Sequence, residues 1–145
     1  MQPLEALLPA VYVALTTPEP LELDGEPVQV YEHLRNDATD ERYVLLNQPT
    51  ANRLPGLRRC QAWDCTVLID CVTLFTPGVV DSGPADALAS QVVERLDRVR
   101  LPLIGGFEMS TAVTDTIQGI NDAFDGEKTD VHRYARMRFQ LYKNL

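Results

Sequence analysis

The chain has 145 residues, of which 21 are acidic and 13 basic, and its formal net charge is −8. This length is close to the commonest size of one domain, so we expect a single domain over residues 1–145. Its composition, 45% hydrophobic and 23% charged, is that of an ordinary globular protein. Because binding to phosphates needs clustered Lys and Arg, the excess of acidic residues argues against a protein that binds nucleic acid through its phosphates.

The sequence contains no apolar run that approaches the roughly 20 residues needed to cross a bilayer. The first residues, MQPLEALLPAVYVALTT, carry Glu5 where a secretion signal would need basic side chains. We therefore expect neither a membrane span nor secretion.

The N-terminal segment has the apolar spacing of an amphipathic α-helix. Pro9 lies within this segment and lacks a backbone N–H, so the helix either kinks at Pro9 or begins there. The apolar face of this predicted helix consists of Leu4, Leu7, Leu8, Val11, Tyr12 and Leu15.

Strands are predicted next, where apolar and polar residues alternate. The alternation favours strands over Pro27–Leu34 and Arg42–Gln48, and Pro49 is expected to end the second one. Residues Pro49–Arg59 are then predicted to form a long loop. Cys60–Phe75 has the clearest period of two and is predicted to be a central strand. Its more apolar face consists of Trp63, Cys65, Val67, Ile69, Cys71 and Phe75.

A second helix is predicted after a turn at Thr76–Gly83, because Pro84 suits the first helical position. Its apolar residues are Ala85, Leu88, Ala89, Val92, Val93 and Leu96. Since the connection to the preceding strand is short, we expect this helix to pack on that strand. The expected central contacts of the core join Leu88, Val92 and Leu96 to Val67, Ile69 and Cys71.

Two more strands are predicted near the C-terminus, joined by a hairpin connection at Gly119–Thr129. The first should direct Phe107, Met109, Thr111 and Val113 to one face; the second should direct Val131, Ala135, Met137, Phe139 and Leu141 to one face. The predicted fold is therefore α+β, a mostly antiparallel sheet of about four to five strands with both helices on one face.

Candidate groups for catalysis or metal binding are few. The spacing of Cys60, Cys65 and Cys71 fits no zinc ligand set, even with His33 and His132 included. Cys65 and Cys71 lie on an apolar strand face, where a thiol usually acts as a small core hydrophobe.

Two sets of polar residues on the predicted strands could also take part in chemistry. His132 has Asp130 two residues away, and such a pair could support proton transfer. A histidine in this context more often lies on a solvated surface without a chemical role. Asp64 and Asp70 share one strand face, but six residues of strand separate them by roughly 20 Å, which is too far for one catalytic site. We predict no catalytic residue, no cofactor and no metal, hence no enzyme.

A basic stripe near the C-terminus contrasts with the acidic chain. Arg133, Arg136 and Arg138, joined by Lys143, form either a solvated edge or a patch that pairs with an acidic surface of a neighbouring subunit. Both interpretations remain open. The candidate intersubunit residues, which include those of the predicted loop at Pro49–Arg59, are Arg53, Arg58, Arg59, Arg133, Arg136 and Arg138.

The run WDCTVLIDCVTLFTPGVVDSGPADALASQVVERL, residues 63–96, resembles the tail-terminator or tail-completion proteins of long-tailed phages and the related tail-component family of gene transfer agents. In those proteins a long strand ends in an aromatic residue, and a turn with Gly and Ser leads into a helix of the type ADxIAxxVxxxL. The strand YVLL at Tyr43–Leu46 and the segment Tyr134–Phe139 agree with the family pattern; Pro9 and the cysteines depart from it. The matching residues are Ile69, Asp70, Val72, Thr73, Phe75, Gly78, Ser82, Ala85, Asp86, Val92 and Leu96.

This resemblance implies a structural virion protein that forms a hexameric ring, caps the tail tube and joins it to the neck. It implies the tail tube protein and a neck or connector protein as partners, with assembly in the host cytoplasm and no catalytic residues. DNA would pass through the acidic ring without specific binding. The alternatives are a neck or head-completion protein of the same particle, or a small ligand-binding or enzymatic domain, which should show a pocket with converging polar groups.

Overall fold

The structure is a computed structural model, which describes residues 1–32, 41–56, 58–75, 81–124 and 128–144, with the backbone alone at 121–124, 128 and 129. His33 and most of the predicted turn at Thr76–Gly83 lie outside these ranges. No described helix is long and apolar enough to cross a membrane. The elements are α1 (Pro3–Thr16), β1 (Leu21–Leu23), β2 (Glu26–Tyr31), β3 (Arg42–Leu54), β4 (Cys60–Phe75), α2 (Gly83–Leu96), β5 (Phe107–Phe124) and β6 (Lys128–Asn144).

The strands form one mixed sheet in the order β1-β2-β3-β4-β6-β5. Only β2 and β3 pair in parallel; the other neighbours are antiparallel. The α+β class is confirmed, and the expected count of about four to five strands is slightly too low, since the described residues form six. The strand that was missed, β1, is only three residues long, too short to show an alternation.

The core lies between one face of the sheet and the two helices. β4 and β6 place Cys65 opposite Phe139 and Val67 opposite Met137, and all four side chains are buried. The predicted contact between α2 and β4 is confirmed, because Leu88, Val92, Leu96, Val67, Ile69 and Cys71 belong to one buried cluster. The buried residues of α1 in the same cluster are Ala6, Leu7, Val11 and Leu15.

Helix α1 begins at Pro3 and continues through Pro9, so the prediction that the helix might begin at Pro9 is wrong. The backbone N–H of Gln2 donates to the Glu5 carboxylate over 2.8 Å, which stabilises the helix start. Pro9 and Glu5 are exposed, so water can satisfy the carbonyl that Pro9 leaves without a donor. Tyr12, expected on the apolar face, is 42% exposed.

Strand β3 extends past Pro49 to Leu54, so the predicted loop at Pro49–Arg59 is much shorter. The register with β4 shifts between Asn47 and Thr50, and Gln48 has a φ of 45°. A bulge of this kind leaves a residue out of the ladder, so Pro49 is tolerated despite its missing N–H.

Strand β5 contains two such shifts, between Met109 and Thr111 and between Thr114 and Thr116. After the first shift, the side chains lie on the opposite faces from those predicted: Ala112 is buried, whereas Thr111 and Val113 are exposed. The predicted connection at Gly119–Thr129 is also wrong, because β5 runs to Phe124 and β6 begins at Lys128. On β6 the five residues predicted to share one face are all buried.

We expect Leu88→Ala to lower the free energy of unfolding by about 2–5 kcal/mol, because it removes a fully buried side chain and leaves a cavity. Urea denaturation followed by circular dichroism measures this change. Glu94→Ala, at an exposed position of the same helix, is the control and should change stability by less than about 0.5 kcal/mol. Equal losses from both variants would contradict the packing described.

Candidate functional site

The face of the sheet opposite the helices carries the side chains that the core does not use. On β4 and β6 these are the even-numbered residues, such as Thr66 and Leu68 opposite Arg138 and Arg136. Arg136, Arg138 and Gln140 are exposed. This open face is therefore polar along β6, and it is the main surface on which the fold presents functional groups.

A hollow of about 360 Å³ lies on the open face and is lined from four strands. Its walls carry one guanidinium group, three side-chain amides, two hydroxyl-bearing side chains and two aliphatic side chains. No ion pair of Arg136 is found among the described residues. The lining residues are Asn47, Gln48, Leu68, Thr116, Gln118, Ile120, Tyr134 and Arg136.

His132 lies between two carboxylates on the open face. Its Nδ1 is 2.9 Å from Oδ1 of Asp70, and its Nε2 is 3.8 Å from Oδ2 of Asp130. Its ring stacks on Tyr134 with centroids 5.5 Å apart. Burial, followed by the nearby charges of Asp70 and Asp130, raises the pKa of Tyr43.

The sequence indicated Asp130 as the neighbour of His132 but missed Asp70, which the pairing of β4 with β6 brings close. Because Nδ1 of His132 on β6 lies within hydrogen-bond distance of Asp70 on β4, the cluster links the two strands. No described group of three or more His, Cys, Asp or Glu side chains could hold a metal ion.

The six candidate arginines do not form one patch. Arg133 lies on the helix-covered face, where its Nε donates to Oδ1 of Asp86 on α2 over 2.6 Å. The Nε of Arg138 lies 3.6 Å from Oδ1 of Asp64, and Arg136 lines the hollow. The other three, Arg53, Arg58 and Arg59, are exposed at the tip of the β3–β4 hairpin.

Cys65 and Cys71 are fully buried, in agreement with their predicted place on the apolar face. Burial raises the pKa of the Cys65 thiol to about 11 and also raises the pKa of Cys71. Both thiols are therefore protonated near neutral pH, which makes them poor nucleophiles. Cys60 is half-buried at the start of β4.

The two edges of the sheet are covered to different extents. At β1, the side-chain amide of Gln91 accepts from the backbone N–H of Glu22 over 3.1 Å and donates to its carbonyl over 2.7 Å. These bonds occupy both backbone groups of the central residue of this edge. The β1 edge is thus closed by α2.

The β5 edge is closed only along its first half. The backbone N–H of Arg98 donates to the carbonyl of Ala112 over 2.7 Å. The Asp97 carboxylate accepts from the backbone N–H and the hydroxyl of Thr114 over 2.7 and 2.9 Å. Beyond Thr114, β5 is the last strand of the sheet, and no described strand pairs with its outer edge.

No protein-family model and no curated protein matches the chain. A chain in a solved structure titled "Virion of native gene transfer agent (GTA) particle" has a similar structure, with a TM-score of 0.71 over 94% of this chain and 96% of that chain. The two sequences are 19% identical. At this identity the comparison establishes a shared fold.

We expect one thiol of the native protein to react with a water-soluble disulfide reagent at pH 8, and all three to react after unfolding. The reactive thiol is Cys60, since the pKa of Cys65 is raised to about 11 and Cys71 is fully buried. Colorimetric titration measures the number of reactive thiols. Cys60→Ser should abolish the native reaction; fast reaction of that variant would contradict the assignment.

We expect Asp97 to stabilise the fold only while it is ionised. Hydrogen bonds from the backbone N–H and then the hydroxyl of Thr114 lower the pKa of Asp97. Its contribution is therefore complete above the ordinary carboxyl pKa of about 3.9 and is lost as the pH falls through the lower folded value. Urea denaturation should show wild type to be more stable than Asp97→Asn at pH 7, with the difference shrinking as the pH is lowered below the ordinary carboxyl pKa of about 3.9.

Asp115→Asn, at an exposed position of β5 next to Thr114, controls for the loss of one negative charge. A difference between wild type and Asp97→Asn that is the same at pH 7 and pH 2 would show that the carboxylate charge contributes nothing.

Proposed function

We propose that this chain is a structural protein of a phage or gene-transfer-agent particle, and that it caps the tail tube as a ring and joins the tube to the neck. The observation that carries this proposal is the shared fold, which covers 94% of this chain and 96% of the virion chain. The family resemblance of residues 63–96 supports it independently, because that comparison rests on sequence pattern.

The distribution of polar groups suits an assembly protein. The hollow on the open face is lined by amides, one guanidinium, two hydroxyls and aliphatic groups. Long strands, the exposed tip of the β3–β4 hairpin and an edge of β5 that no described strand pairs with offer several surfaces to other subunits. In a ring, each copy would add a net charge of −8, which disfavours adhesion of DNA during passage.

Under this proposal the exposed hairpin tip with Arg53, Arg58 and Arg59 contacts an acidic surface of a neighbouring subunit, as do Arg136 and Arg138 on the open face. Arg133 pairs with Asp86 of its own chain. It would contact a neighbouring subunit only if that ion pair were broken. The partners are further copies of this chain, the tail tube protein and the neck protein.

Deletion of the gene in a particle-producing cell, followed by electron microscopy, tests the proposal. We expect tubes of irregular length that are not joined to heads, since an uncapped tube end can continue to grow. Supplying the wild-type chain should restore joined particles, and antibody labelling should place it where tube and neck meet.

A neck protein on the head side would give a different result, namely tubes of normal length and heads that lose DNA. Normal particles from the deletion strain, or a chain absent from purified particles by mass spectrometry, would contradict a structural role.

A further inference from the structure

We infer that the basic tip of the β3–β4 hairpin, which carries Arg53, Arg58 and Arg59, binds in an acidic pocket of a second copy of this chain. The acidic pocket lies beside the β1–β2 turn and contains Glu26 and Glu41. The inference rests on the proposed function, because it describes the contact between neighbouring copies in the ring. It adds the acidic surface that the hairpin tip recognises.

The acidic pocket has a volume of about 530 Å³, and its walls carry the carboxylates of Asp24, Glu26 and Glu41 and the guanidinium of Arg42. Nη1 of Arg42 donates to Oδ2 of Asp24 over 2.8 Å, so these two charges neutralise each other. Glu26 and Glu41 are exposed, and neither has an ion pair among the described residues. The pocket therefore presents two uncompensated negative charges.

The basic tip has the opposite charge. Residues 50–63 contain no Asp or Glu, and Arg53, Arg58 and Arg59 are all exposed. Within the described part of the chain, none of the three forms an ion pair. Three guanidinium groups held close together repel one another unless an anionic partner neutralises them. The tip is therefore suited to an acidic surface.

The basic tip and the acidic pocket cannot meet within one chain. The pocket lies at the start of β3, where Arg42 is its first residue, and the tip begins where β3 ends at Leu54. At about 3.3 Å per residue, the two ends of this strand are roughly 40 Å apart. The complementary charges can therefore neutralise each other only between two molecules.

The distribution of charge along the chain favours a second copy as the occupant of the pocket. Residues 1–34 contain six acidic residues and no Lys or Arg, so the β1–β2 hairpin at the pocket repels anionic partners. Each copy of the chain carries both the pocket and a tip of opposite charge. DNA fits the tip less well, because the net charge of −8 repels a polyanion.

Apolar side chains accompany the charges on both surfaces. Leu54, which is 36% exposed, and Pro55 lie within the tip. Pro27 is exposed in the wall of the pocket, next to Glu26. Contact of Leu54 and Pro55 with Pro27 would bury apolar surface and exclude water from the charges, which strengthens their attraction.

The contact joins two different surfaces of the chain, so it is heterologous. Repetition of a heterologous contact gives a closed ring when the rotation between copies closes, as the proposed function requires. A symmetric contact would place two basic tips or two acidic pockets together, which repulsion between like charges disfavours.

Cysteine cross-linking in purified particles tests this contact. A variant with Pro27→Cys in the pocket and Pro55→Cys in the tip, in a Cys60→Ser background, keeps every charge of both surfaces. With a short bismaleimide we expect a ladder of covalent dimers, trimers and larger species of this chain, because each copy contacts two neighbours. The distance between the two cysteines within one chain prevents an internal link.

The two single-cysteine variants, Pro27→Cys and Pro55→Cys in the same background, are the matched controls. Neither should form covalent dimers, since the pocket does not meet another pocket, nor the tip another tip. Dimers from a single variant would overturn the head-to-tail contact. So would a double variant that enters particles but gives no ladder, or links only to another protein.

Charge reversal tests the complementarity separately. Arg58→Glu with Arg59→Glu should lower incorporation into particles about tenfold at an unchanged melting temperature, because the tip then repels the pocket. Addition of Glu26→Lys and Glu41→Lys to the same chain reverses the pocket as well and should restore incorporation. Normal incorporation of the first variant, or failure of the second to restore it, would overturn the inference.

Arg98→Glu with Arg100→Glu changes the net charge by the same amount at exposed positions outside both surfaces. This control should be incorporated normally; an equal loss would show an effect of net charge alone and overturn the contact. Absence of the wild-type chain from particles by mass spectrometry would instead refute the proposed function, and this inference with it.

Discussion

The pairing of β4 with β6 is the constraint on which the rest of the structure depends. The two strands pair from Cys60 with Asn144 to Phe75 with Thr129 without a register shift. A slip by one residue would exchange the faces of every side chain, placing Arg136 in the core and Met137 in water. Because this exchange is so unfavourable, the pair fixes which face the helices cover and which face remains open.

The elements that could be predicted from sequence are those with long, uninterrupted periodicity: α2, β4 and β6. The errors occur where a local irregularity changes the period. A bulge displaces the alternation by one residue at Pro49 and again near Ser110. The alternation of the sequence therefore predicts too short a strand at Pro49 and the wrong face for the side chains after Ser110. The parallel direction of β2 was also beyond prediction, since alternation does not depend on strand direction.

The candidate site was predictable only where its parts are close in sequence. Asp130 and His132 are two residues apart, whereas Asp70 reaches His132 through strand pairing. Likewise, Gln91 closes the β1 edge from the polar side of a helix, where its sequence context suggests only a solvated residue. Arg133 is an odd-numbered residue of β6 and faces the helices, whereas the even-numbered Arg136 and Arg138 lie on the open face. Arg53 lies near the hairpin tip because β3 extends to Leu54.

The ion pair of Arg133 with Asp86 constrains which residue β5 can carry at position 119. Gly119 has no side chain at the point where the guanidinium of Arg133 crosses β5, and a Cβ there would lie 2.7 Å from Nη1. The guanidinium therefore lies flat against the hairpin while it holds the first turn of α2. A side chain at residue 119 would have to displace this guanidinium and so loosen the contact between β6 and the first turn of α2.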